Sequence, residues 1–255
     1  MKILINNLVT EYEDVYPNSE AGREGKTILM LHGWGVNLHS FDKITEILKQ
    51  KYRIIRLDLP GFGATDIPKN WSLENYINFV SEFMAKLNIK PNVLLGHSFG
   101  GRIIIKGLGS GKLNTEKIIL ISPAGVSLFN LKKNIVKVIS KIGKLLLYIP
   151  PIYFWKESIR NKFYKSIGSE YMDNTKMKEI FGSVVSEDLK PYAENIKNET
   201  LLIWGWSDYV TPLSDGEFLN KVLQNSKLEI IKYGGHFSFI EKSEEVAEKI
   251  SKFVG

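Results

Sequence analysis

The sequence predicts an α/β protein built on a mostly parallel, eight-stranded sheet with helices on both faces and one inserted helical cap. Three observations lead there. Short apolar, β-branched runs recur along the 255 residues, patterns with apolar residues at helical spacing separate them, and one long stretch breaks that rhythm with helical pattern alone. Strands that alternate with helices pair in parallel, because each crossover helix returns the chain to the same end of the sheet.

In chain order, Lys2–Asn6 and Leu8–Tyr12 straddle Asn6-Asn7 and read as an antiparallel hairpin. Thr27–Leu31 is an unbroken apolar run, as expected of a strand buried on both faces. Tyr52–Leu57, Asn92–Leu95, Lys117–Ile121, Leu201–Trp204 and Lys227–Lys232 repeat that type. Helical spacing marks Phe41–Lys49, Ser72–Leu87, Phe99–Leu108, Ser214–Leu223 and Ser243–Phe253, with Ser72 and Ser243 as expected N-caps. From about Ala124 to Ser186 no strand pattern occurs, and the length exceeds an ordinary βα connection. The expected organisation is therefore a core in two parts, 1–123 and 187–255, interrupted by a cap at 124–186.

Composition narrows the function classes. Hydrophobic residues make up 44% and charged residues 24%, an ordinary globular balance that leaves no run of the roughly 18 apolar residues a membrane span requires. The apolar stretch after Met1 ends too early for a signal-peptide core of about 7–15 residues. The chain has no cysteine, so disulfides, thiolate catalysis and Cys-based metal sites are excluded; a cytoplasmic home is the expectation. The four histidines, His32, His39, His97 and His236, lack metal-ligand spacing, so no metal is expected. The net charge of +6 is concentrated in Leu131–Lys165, which holds nine Lys/Arg against one Asp/Glu. No nucleic-acid motif accompanies it, so no nucleic-acid partner is expected.

The same segment carries a stripe of Leu131, Ile135, Val138, Ile142, Leu145 and Ile149, with Lys133, Lys137, Lys141 and Lys144 opposite. Two readings stay open. The stripe packs on the core and the lysines are solvated, or the apolar side roofs a pocket while the lysines make weak contact with anionic surfaces.

The chemistry centres on Gly96-His97-Ser98-Phe99-Gly100-Gly101, a strand end followed by a helix. Glycines on either side let the backbone turn sharply and present Ser98 at the strand's carboxyl end, a nucleophile elbow. A serine hydroxyl needs a base. His32, His39 and His97 precede or adjoin Ser98, which leaves His236, in Tyr233-Gly234-Gly235-His236-Phe237 after the last strand. The orienting acid belongs after the preceding strand, where Asp208 stands in a turn. Asp215 is the nearest competitor, but it reads as part of the next helix's first turn. Two backbone N–H groups are expected to hold the oxyanion: that of Phe99, after the nucleophile, and that of Trp34 in the loop His32-Gly33-Trp34-Gly35, with the Trp34 ring facing the pocket. His32 is read as a brace for that loop. Asp58-Leu59-Pro60-Gly61-Phe62-Gly63 is read as a structural turn.

With Gly205-x-x-Asp208-x-x-x-Pro212 and Gly234-Gly235-His236 added, these motifs stand in the order of the α/β-hydrolase superfamily, and the chain resembles its small capped serine hydrolases over nearly its whole length. Similar enzymes include carboxylesterases, lipases, carbon–carbon bond hydrolases and aminopeptidases. Dehalogenases and epoxide hydrolases of this fold carry Asp as nucleophile, and Ser98 argues against both. The resemblance implies hydrolysis of a small or medium-chain carboxylic ester with an apolar acyl part, through an acyl-enzyme and without a cofactor. Cleavage of a carbon–carbon bond, and a ligand-binding or signalling module with slow turnover, remain open alternatives.

Overall fold

A computed structural model of the chain describes residues 1–17, 25–126 and 175–255. Eight strands, β1 (Lys2–Ile5), β2 (Leu8–Val15), β3 (Thr27–Leu31), β4 (Arg53–Leu57), β5 (Val93–His97), β6 (Lys117–Ile121), β7 (Glu199–Gly205) and β8 (Ser226–Ile231), form one sheet in the order β1-β2-β4-β3-β5-β6-β7-β8. From β4 to β8 across the sheet all neighbours are parallel; β2 runs antiparallel to both β1 and β4. The expected hairpin is present, and Asn6 and Asn7 both have positive φ, the conformation of its two-residue turn.

β2 is longer than its apolar run suggests. Its first half pairs with β1, and its second half, Tyr12–Val15, pairs with β4. The acidic residues that mask this half as a strand are satisfied across the ladder. Asp14 accepts from Arg53 Nε at 2.8 Å and Glu13 from Arg56 Nε at 2.8 Å.

Period-two alternation divides the core into two layers. In β3, Leu29 and Leu31 face one cluster and Ile28 and Met30 the other. The second cluster is covered by α1 (Asp42–Leu48), the short α7 (Ser238–Glu241) and α8 (Ser243–Val254). The first is covered by α2 (Leu73–Lys86), α3 (Phe99–Gly109), α4 (Thr175–Val185) and α6 (Leu213–Val222), with α5 (Lys190–Ala193) beside them. Four-residue helices such as α5 and α7 are too short to show a period, which is why the sequence reading passes over them. Ser72 is the N-cap expected for α2. Ser243 is not a cap: it lies one place inside α8, because Lys242 already accepts the first helical bond from Val246 N–H.

The expected cap falls mostly on 127–174, outside the described residues, and so do its apolar stripe and lysines. Its described end, α4, buries Met177, Ile180 and Val184 in the first core layer. Arg102 of α3 ties that end down, donating from Nε to the Val184 carbonyl at 2.8 Å and from its other arm to the Glu187 carbonyl. Among the described residues no helix is long and apolar enough to cross a membrane.

Candidate active site

β5 ends at His97, and the chain turns into α3 through Ser98, whose φ of 48° and ψ of −104° lie outside the regions L-residues favour. Such a conformation costs about 1–3 kcal/mol and persists only where the surroundings impose it. Here strand and helix are pressed together: a Cβ on Gly96 would overlap the Gly100–Gly101 backbone, and one on Gly100 would overlap the Leu31 carbonyl. The Ser98 N–H donates to the Ile121 carbonyl and its own carbonyl accepts from Arg102 and Ala124 N–H, so the turn is pinned on both sides. The Ser98 side chain makes no capping bond to α3, and its hydroxyl is left for other chemistry.

Asp208 follows β7 in a turn that its own side chain organises. Oδ1 accepts from the N–H groups of Val210 and Thr211, both at 2.9 Å, and Oδ2 accepts from the Thr211 hydroxyl and from His236 Nδ1, both at 2.9 Å. The carboxylate is fully buried and the His236 side chain is 9% exposed. Burial works to raise the Asp208 pKa, but the bond and charge of His236 and the Thr211 N–H outweigh it and hold the carboxyl below its usual range. With Nδ1–H committed to a carboxylate, the Nε2 lone pair of His236 is the one left to act as a base.

The His236 loop is anchored through its backbone as well. Ser207 N–H donates to the Gly234 carbonyl, Gly235 N–H donates to Glu241 Oε2 at 2.6 Å, and the His236 carbonyl accepts from His97 Nε2 at 3.0 Å. Asp208 and His236 therefore meet directly, and His236 is joined through its backbone to the residue preceding Ser98. Among the described residues no hydrogen bond joins Ser98 Oγ to the His236 ring. That contact commonly tightens only with substrate present. Asp215 lies in the first turn of α6.

The loop after β3 reaches Ser98 from the other side. A Cβ on Gly33 would lie 3.4 Å from the Ser98 Cβ, and the Trp34 and Phe99 rings meet edge to face at 5.3 Å. Phe99 opens α3, so its N–H is among the first-turn donors with no intrahelical carbonyl. The Trp34 ring also packs on Phe62 at 4.8 Å and on Phe181 of α4 at 5.0 Å. His32 braces this loop as expected: the ring donates from Nδ1 to the Gly33 carbonyl at 2.7 Å and accepts from Leu59 N–H at Nε2 at 2.9 Å. Burial pushes its pKa down to about 4, so it is neutral in this role. The 58–63 turn is structural: Asp58 accepts from Leu38 and Ala64 N–H, and Gly61 and Gly63 have positive φ.

Four residues of the site escape the sequence reading: His97, Thr211, Glu241 and Phe181. Thr211 had a local signal, since an aspartate followed three residues later by Thr-Pro is a self-closing turn. The bond from His97 to the His236 carbonyl and the contact of Phe181 with Trp34 join positions far apart in the chain, and Glu241 reaches Gly235 six residues back.

Residues 26–133 match the family model of the α/β hydrolase fold. The chain is 27% identical to the hydrolase YugF of Bacillus subtilis, over 96% of this chain and 94% of that one. It is 25% identical to the human monoacylglycerol lipase ABHD6, over 96% of this chain and 80% of that protein. The solved esterase EaEST of Exiguobacterium antarcticum superposes with a TM-score of 0.76 at 23% identity, covering 99% of this chain and 98% of the esterase.

Proposed function

From this chain's membership of the α/β-hydrolase superfamily, we propose that it is a serine esterase in which Ser98, His236 and Asp208 form the catalytic triad. One observation carries the reading: a buried Asp208–His236 pair at 2.9 Å is anchored to the residue that precedes a serine held at positive φ between strand and helix.

In this mechanism Ser98 Oγ attacks the ester carbonyl as His236 Nε2 takes its proton. The N–H groups of Trp34 and Phe99 receive the oxyanion. The imidazolium, stabilised by Asp208, then protonates the leaving alcohol as the carbon–oxygen bond breaks. Water attacks the acyl-enzyme by the same route and regenerates Ser98. No step calls for a cofactor.

The aromatic group of Trp34, Phe62, Phe99 and Phe181 supports an apolar acyl part of small or medium length. A panel of esters of increasing acyl chain, with products identified, tests this. Medium-chain esters should exceed acetates in kcat/KM, and wild-type protein should gain one serine-reactive phosphonate by intact mass while Ser98→Ala gains none. Labelling that persists in Ser98→Ala would sink the assignment. Turnover confined to carbon–carbon bonds would move the substrate class while keeping the triad.

A further inference from the structure

His97 adjoins the nucleophile, and the mechanism above gives it no task. It is 1% exposed, on the last residue of β5. Its Nε2 lies 3.0 Å from the backbone carbonyl oxygen of His236. A carbonyl only accepts, so Nε2 carries the proton and Nδ1 is bare. Nδ1 has no partner among the described residues. It faces Gly33, where a Cβ would come within 2.7 Å. The ring is packed against Phe237 and Phe239, with centroids 5.1 and 4.7 Å away.

A purely space-filling residue between two phenylalanines would be apolar. Burying an imidazole with one nitrogen unsatisfied costs free energy, and here a single directed bond, to the backbone of His236, offsets it. Burial also keeps the ring uncharged, so the donor at Nε2 is the same on either side of neutral pH.

We propose that His97 is a positioning residue: it sets the distance between nucleophile and base by tying the His236 carbonyl to the residue before Ser98, with Gly33 leaving the space the ring needs. This rests on the triad reading above. The Asp208 bond fixes the direction of the His236 ring, and the Glu241 bond fixes Gly235. Neither ties the loop to β5; the His97 bond does. Among the described residues the one hydrogen bond of the His97 side chain goes to backbone, and its ring lies against the His236, Phe237 and Phe239 rings and the Gly33 loop, so its loss should fall on kcat and spare KM.

Three variants separate the bond from the packing. Glutamine carries an amide N–H at a reach comparable to imidazole Nε2. Asparagine carries one only at the level of Nδ1. Phenylalanine keeps the ring and loses the donor. His97→Phe and His97→Asn should lower kcat about 10- to 100-fold, with KM and melting temperature little changed, because a small displacement of a base is costly. His97→Gln should recover most of that loss. Wild-type kcat in His97→Phe would overturn the proposal, and so would equal losses in Gln and Asn, which would point to packing. If His97→Phe fails to fold, the Gln–Asn pair alone decides. Phosphonate labelling of wild-type Ser98 keeps the failures apart: a labelled wild type with an unaffected His97→Phe defeats this inference only, whereas no labelling at Ser98 defeats the triad reading and this inference with it.

Discussion

The two sides of the site are held by opposite means. On the proposed acid–base side, Asp208 takes four donated hydrogen bonds and the His236 loop is tied through ring and backbone. On the proposed nucleophile side, Ser98 is shaped by what is absent: missing side chains at Gly96 and Gly100 let helix, strand and the Leu31 carbonyl close on one another. Around it stand rings in edge contact rather than a polar cage. A proton-transfer pair needs fixed angles, which directed bonds supply. A strained backbone turn needs confinement on all sides, which close packing supplies. The acid–base side should therefore be sensitive to lost polarity and the nucleophile side to added volume.

The largest effects test the roles themselves. Ser98→Ala and His236→Ala should each lower kcat about 10⁶-fold, and Asp208→Asn about 10⁴-fold, because triad members act as a unit but the orienting acid is the least indispensable. All three should keep the wild-type circular dichroism. Near wild-type turnover in Asp208→Asn would show that the carboxylate serves its turn alone and not the histidine.

Added volume on the other side should cost stability first. Gly100→Ala drives a methyl group into the Leu31 carbonyl and should destabilise by about 3 kcal/mol, measured by urea unfolding. A Gly100→Ala protein as stable as wild type would break the contrast, since the elbow would then have slack.

The smallest effect is acid sensitivity. His32 titrates near 4 in the folded chain against 6.5 when unfolded, so its neutral form contributes stability that is fully present above 6.5 and is lost as pH falls toward 4. Between pH 8 and pH 5 this amounts to about 2 kcal/mol. His32→Gln keeps an acceptor for Leu59 N–H and cannot titrate, so its stability should fall by about that much less over the same range. The depressed Asp208 carboxyl acts in the same direction but lower, below the ordinary carboxylate range. Parallel acid curves for His32→Gln and wild type would remove His32 as the source.

The sequence by itself determined the architecture and the identity of the candidate triad. Apolar runs of strand length, helical spacing between them, and one Gly-x-Ser-x-Gly turn are local patterns, and the order Ser98, Asp208, His236 needs only the chain to be read forward. Thr27–Leu31 is expected and observed with the same ends, because a strand buried on both faces must be apolar throughout. Where local pattern and pairing disagree, the reading stops short: Glu13 and Asp14 look like loop until β4 brings Arg56 opposite Glu13 and Arg53 within reach of Asp14. What only the tertiary structure decided is how the pieces are held in register. The Nε2–H of His97 finds its acceptor 139 residues away, Glu241 reaches back to Gly235, and Phe181 crosses from α4 to the Trp34 ring. The His97 and Phe181 contacts depend on the sheet closing first, since a hydrogen bond or ring contact between distant positions leaves no periodic trace in the chain that makes it; the Glu241 bond spans only six residues but follows no pattern that the chain displays.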